Sequence, residues 1–272
     1  MSLPVATALA SMVLGMVIGS FLNVVAYRLP AGISLLRESR CPGCEAPVRP
    51  WQNIPVISWL ALRGRCAACR SPISWRYPAV ELLTGVLFAA VATLLPWREI
   101  APNIAAGVVV LLAFWWFTGS TVALALIDLD THRLPNAIVY PGYVVGIALL
   151  TLACTLGADW GALLRAAIGM VALAAVYCLM WLIRPGGMGL GDVKLAGVVG
   201  LHLGWLGWGP LAVGAVAAFV LGGVFGIGLL LTSRAGRKTA IAFGPWMIAG
   251  AWTGILAGTT IAHSYASLAG LA

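Results

Sequence analysis

The sequence predicts an all-α polytopic membrane protein of about eight transmembrane helices with a small cytoplasmic zinc-binding loop domain. Three observations predict it. Of 272 residues, 61% are apolar and only 9% charged, with a mean hydropathy of +1.00. An ordinary soluble domain is nearer half apolar and a quarter charged. Apolar runs of about 20 residues, the length that crosses a bilayer core, recur along the chain. Two C-x-x-C pairs sit inside its most basic stretch. This composition excludes disordered, collagen-like and disulfide-stapled secreted chains.

The runs fall at 5–27, 79–96, 104–127, 138–156, 163–183, 195–206, 210–232 and 241–262. None shows strand-like alternation, and helices satisfy their own backbone polar groups in lipid. The first run has no basic start and no small-residue cleavage site, so it reads as a retained span. Its Gly15 and Gly19 form a G-x-x-x-G, a helix-packing face. The run at 195–206 is the shortest. The chain divides into a first transmembrane helix (1–27), a four-cysteine loop domain (28–77) and a multi-helix core (78–272).

Charge orients the set. The net charge is +8, and eight arginines lie between Arg28 and Arg76. Basic loops stay cytoplasmic, which places this loop inside. Alternation then puts Arg133, Arg184, Lys194, Arg234, Arg237 and Lys238 inside as well, leaving only Arg98 and Arg165 outside. The loop arginines are scattered, and Trp51, Trp59 and Trp75 suit a membrane interface, so no nucleic-acid partner is expected. Membrane lipids are. Trp205 and Trp208 read as interface anchors. Asn23 suits a bond across helices or a substrate contact. Glu81, near a helix start, is expected to pair with a loop arginine. Cys154 and Cys178 lie in apolar spans and read as core packing.

Cys41-Pro-Gly-Cys44 and Cys66-Ala-Ala-Cys69 are separated by 21 residues. Paired knuckles of this kind read as a tetrahedral zinc site with four thiolate ligands. Pro42-Gly43 supplies a tight turn. A cytoplasmic loop is reduced, which disfavours disulfides. So short a loop has little core of its own, and a structural metal would organise it.

Two acids stand at run edges. Asp128 ends one run, and Asp192 sits in Gly189-Leu-Gly191-Asp192-Val-Lys194 before another. By the topology above, both lie at the same cytoplasmic boundary. Carboxylates there are costly to ionise and usually functional. Two of them facing each other can share a proton, so that one activates water while the other donates to a substrate carbonyl. Gly189 and Gly191 have no side chains to block an extended peptide. On a helix, Asp130 lies about 200° from Asp128 and points elsewhere. An ion- or proton-coupled transporter is the alternative, but a relay wants acids at mid-depth or on both sides. A zinc-binding adaptor would need neither aspartate.

Together these residues resemble the bacterial type IV prepilin peptidases, bifunctional leader peptidase/N-methyltransferases of the G-x-G-D membrane aspartyl protease class. The likeness runs nearly end to end. Gly19-Ser-Phe-Leu-Asn23-Val-Val-Ala-Tyr-Arg28-Leu-Pro30 is similar to the family's opening motif. The paired knuckles follow, then Tyr77-Pro-Ala-Val-Glu81-Leu-Leu-Thr-Gly85. Asp128 stands seven positions before Pro135, Gly189 to Asp192 match G-x-G-D with Lys194 beyond, and Phe243-Gly-Pro245 resembles a further shared element. Ala242 departs from the proline many members carry. The resemblance implies that Asp128 and Asp192 are catalytic and that Gly189, Gly191 and Lys194 meet substrate. The implied substrates are type IV prepilins and pseudopilins, cut after the glycine that ends a basic leader, at the cytoplasmic face of the bacterial inner membrane. It further implies N-methylation of the new terminus with S-adenosyl-L-methionine, through the first loop and its opening motif. No glycine-rich fingerprint for that donor occurs, and a protease-only member is the alternative within the family.

Overall fold

The computed structural model describes residues 3–184, 188–232 and 242–270. Arg234, Arg237 and Lys238, expected on the inner side, lie outside the described residues. The elements are α1 (Leu3–Arg28), a 3-10 turn (Pro50–Asn53), α2 (Ile57–Ala61), α3 (Arg76–Leu94), α4 (Trp97–Ile100), α5 (Ile104–Thr131), α6 (Asn136–Thr155), α7 (Trp160–Ile183), α8 (Leu190–Leu206), α9 (Trp208–Leu231) and α10 (Gly244–Leu268). The long helices stand where the apolar runs predict them. Six of them, α1, α3, α5, α6, α7 and α9, are long and apolar enough by themselves to cross a membrane. The chain is a multi-pass membrane protein in two compact units, Met1–Leu94 and Leu95–Ala272.

In the first unit α1 packs along α3. Gly15, Gly19 and Gly85 permit this. A Cβ on Gly15 would lie 2.7 Å from the Thr84 carbonyl oxygen, and one on Gly85 2.7 Å from Met16 Cγ. The G-x-x-x-G is thus a packing face that brings two backbones together. Asn23 Nδ2 donates to the Tyr77 carbonyl at 3.2 Å, joining the two helices at their loop end. Arg28 is buried and folds the loop back, donating to the carbonyls of Ser34, Leu35, Arg37 and Glu38. Glu81 Oε2 accepts from the Val56 N–H at 2.7 Å, tying the loop to the first turns of α3. A backbone donor was unreadable from sequence because any non-proline residue could supply it.

The second unit is built on α8. Every residue from Leu195 to Trp205 is buried, with α7 on one side and α6 and α9 beside it. Glycines make the α7–α8 seam. A Cβ on Gly169 would lie 2.6 Å from the Gly200 carbonyl oxygen, and one on Gly204 2.8 Å from that of Arg165. Trp205 is therefore core at 1% exposure, not an interface anchor, whereas Trp208 is exposed. Arg165 is spent on the same helix. Its Nε and Nη2 donate to the carbonyls of Gly204 and Trp205 at 2.8 and 2.9 Å, satisfying orphan acceptors at the α8 C-terminus. Asn103 caps α5 and also donates to the Leu156 carbonyl at 2.7 Å. Asp159 caps α7 by accepting from the N–H groups of Gly161 and Ala162. Cys154 is buried, as its apolar run suggests.

Candidate active site

Asp128 lies in the last turn of α5 and Asp192 in the first turn of α8, and both carboxyls are buried. Each is held by a glycine N–H. Gly244, the first residue of α10, donates to Asp128 Oδ2 at 3.0 Å. Gly189 donates to Asp192 Oδ2 at 3.1 Å as part of the α8 N-terminal cap. The two carboxyls lie within Coulombic range of one another. Asp130, two residues further along α5, is exposed.

The turn between α5 and α6 draws these pieces together. His132 adopts a left-handed conformation (φ 52°) and donates its N–H to the Asp128 carbonyl at 2.9 Å, ending α5. Leu134 then packs where side chains are missing. A Cβ on Gly191 would lie 2.9 Å from Leu134 Cβ, and one on Gly244 3.4 Å from Leu134 Cδ2. Leu134 thus touches both segments that carry the aspartate supports. Gly191 makes room for Leu134, while Gly189 is exposed beside the Asp192 carboxylate. Lys194 Nζ donates to Asn136 Oδ1 at 3.0 Å and lies over the Tyr140 ring, and its carbonyl accepts from the Tyr143 hydroxyl at 2.6 Å. These contacts lock α6 to α8 beside Asp192.

Sequence reasoning missed three contributors. Leu134 carries no motif signal. Gly244 was visible only as the middle of Phe243-Gly-Pro245. Tyr177, 1% exposed on α7, lies within Coulombic range of Asp192 and packs its ring against Phe219 and Phe243 at 5.4 and 6.2 Å.

In the first unit the four cysteines converge. The Sγ atoms of Cys41, Cys44, Cys66 and Cys69 all lie within 4.8 Å of one another, and Cys41 and Cys69 are 3.8 Å apart. A tetrahedral thiolate site with metal–sulfur bonds of about 2.3 Å places its sulfurs about 3.8 Å apart. The donor set therefore fits a thiophilic metal ion. The two knuckles repeat one fold. Glu45 and Arg70, each next after the second cysteine, take positive φ of 56° and 61°. Each returns its N–H to the first cysteine's carbonyl, at 2.8 and 3.0 Å. The N–H of Gly43, the Ser71 hydroxyl and the N–H of Cys44 pull the Cys41 thiol down to about 6. Ser71 also lowers Cys69. For Cys44 the Ala46 N–H pulls downward, but the neighbouring sulfurs and burial outweigh it and raise the thiol to about 11. Negative charge that gathers on some sulfurs opposes ionisation of the rest, a conflict that a bound cation removes.

Fold and site together define a helical membrane protein with two buried carboxyls at helix ends and a four-cysteine loop whose sulfurs could hold a metal ion. Residues 13–95 match the Bacterial Peptidase A24 N-terminal domain, and residues 115–227 match the Type IV leader peptidase family. A protein from Stutzerimonas stutzeri is 37% identical over 98% of this chain and 96% of its own length. One from Pseudomonas aeruginosa is 33% identical over the same shares. One from Myxococcus xanthus is 41% identical over 84% of this chain and 64% of its own. All three are called prepilin leader peptidase/N-methyltransferase. The chain belongs to the type IV leader peptidase family. No solved structure matches it significantly.

Proposed function

We propose that the protein is a membrane aspartyl endopeptidase that removes the basic leader of type IV prepilins and pseudopilins and then N-methylates the new terminus. The observation that carries the peptidase reading is the pair of buried aspartates, each held by a glycine N–H, with Leu134 packed against Gly191 and Gly244. One carboxylate takes a proton from water as the water oxygen bonds to the scissile carbonyl carbon. The other carboxyl gives its proton to the carbonyl oxygen. Collapse of the tetrahedral species breaks the C–N bond, and the leaving nitrogen takes a proton back from the pair. The exposed Gly189 is where an extended backbone reaches Asp192. Gly191 and Lys194 shape the same edge through Leu134, Asn136 and Tyr143.

The site belongs at the cytoplasmic face of the bacterial inner membrane, where a substrate helix leaves the bilayer. Zinc is the thiophilic ion best suited to four cysteines, and its contribution is to cross-link the two knuckles. S-adenosyl-L-methionine supplies the methyl group. Methylation rests on the relatives' names and on the opening motif within the first unit. The division into a first helix, a loop domain over 28–77 and a core follows the same reading.

The test is purified protein with a prepilin and isotope-labelled S-adenosyl-L-methionine, followed by mass analysis of the product N-terminus. The expected product lacks the leader and carries one labelled methyl group. An intact precursor after incubation with folded, metal-loaded protein would overturn the reading.

A further inference from the structure

The loop between the knuckles carries an apolar stripe that no part of the proposed reaction uses. Trp51, Ile54, Ile57 and Leu60 recur every third residue across the 3-10 turn and α2, and their exposures are 59%, 44%, 64% and 62%. Trp59 faces the other way. Its indole N–H donates to the Ile73 carbonyl at 3.1 Å, and the ring packs on Gly64, fastening the segment to the second knuckle. The segment thus spends Trp59 on the metal loop and leaves four large apolar side chains uncovered.

Its depth is set by contacts within the first unit. Val56 is bonded to Glu81 in the early turns of α3, and Asn23 bonds the end of α1 to the start of α3. The stripe therefore sits beside the point where both helices leave the hydrocarbon. The exposed Trp75 precedes α3 at the same edge. The charge around it is mostly positive. Residues 28–76 contain eight arginines and only two acids, Glu38 and Glu45, and Glu38 already pairs with Arg40 at 3.3 Å. Arg49 lies over the Trp51 ring. Exposed aromatic and aliphatic side chains rimmed by arginine are complementary to an anionic lipid surface. The basic leader of the proposed substrate is repelled by the same arginines, so it is not the occupant.

We infer that residues 49–63 form an interfacial foot, seated in the headgroup layer of the protein's own membrane and held there by anionic phospholipid. It fixes the metal loop against the bilayer. The inference is independent of the peptidase reading.

The test is hydrogen exchange of the full-length, metal-loaded protein in three settings: neutral detergent, phosphatidylcholine nanodiscs, and nanodiscs with equal phosphatidylglycerol. Exchange at 49–63 is expected to be slowest with phosphatidylglycerol, roughly 25-fold slower than with phosphatidylcholine alone, since Arg49 and Arg63 at an anionic surface each contribute about fivefold. Ile57→Ser with Leu60→Ser should abolish the protection with unchanged metal content. Arg49→Gln with Arg63→Gln should erase the difference between the two lipids. Equal exchange in all three settings would overturn the inference. So would protection by inorganic phosphate in detergent, or protection that arises only when a prepilin is added.

Discussion

Gly244→Ala tests the Asp128 support directly. The Gly244 N–H donates to Asp128 Oδ2 at 3.0 Å, and a Cβ at that position would lie 2.7 Å from the same oxygen. A carbon–oxygen contact is comfortable only beyond about 3.3 Å, so either the carboxyl rotates away or the start of α10 retreats by roughly half an ångström. Both movements break the bond. A hydrogen bond with a charged partner is worth about 1.5–3 kcal/mol. At about 1.4 kcal/mol per decade, leader cleavage should slow roughly 10- to 150-fold. The control is Gly223→Ala on α9, where a Cβ meets nothing within 4 Å. The assay is the initial rate of leader removal from a purified prepilin, with a thermal melt of each variant. A wild-type rate in Gly244→Ala would refute the reasoning. So would an equal loss in Gly223→Ala.

Three further outcomes are expected. Replacing Cys66 and Cys69 by serine should reduce bound metal from about one ion per chain to near zero, as read by elemental analysis. Full retention would remove the four-thiolate site. Tyr143→Phe deletes the bond to the Lys194 carbonyl and should destabilise the second unit by about 1 kcal/mol, read as a lower melting temperature; an unchanged melt would count against that tie between α6 and α8. Asp192→Asn should still methylate a peptide that already has a free mature N-terminus, whereas serine at Cys41 and Cys44 should impair that methylation. Loss of methyl incorporation in folded Asp192→Asn would show that the two activities are not separable.

Helix positions were legible because lipid demands long apolar runs. The run 104–127 became Ile104–Thr131, and 163–183 became Trp160–Ile183. The four cysteines were legible because local spacing builds each knuckle. What escaped was set by contacts between distant segments. α8 looked like a weak span because it is short, yet it is the most enclosed helix of its unit, and burial by protein relieves a helix of needing lipid-facing residues. Trp205 was misread for that reason. The bond from Gly244 to Asp128 joins residues 116 positions apart, and no periodicity reports such a pairing. Leu134 is an ordinary loop leucine until Gly191 and Gly244 are seen to leave space for it. Glu81 accepts from the Val56 backbone amide, a partner that charge counting does not report.

The central claim is that both buried carboxyls perform the cleavage. An amide in place of either can neither take a proton from water nor give one to the carbonyl. The decisive measurement is the leader-removal rate of Asp128→Asn, Asp192→Asn and Asp130→Asn, purified side by side with matched metal content and melting behaviour. Losses of at least about 100-fold in the first two, with Asp130→Asn near wild type, are the predicted result. Full activity in either Asp128→Asn or Asp192→Asn would contradict the account.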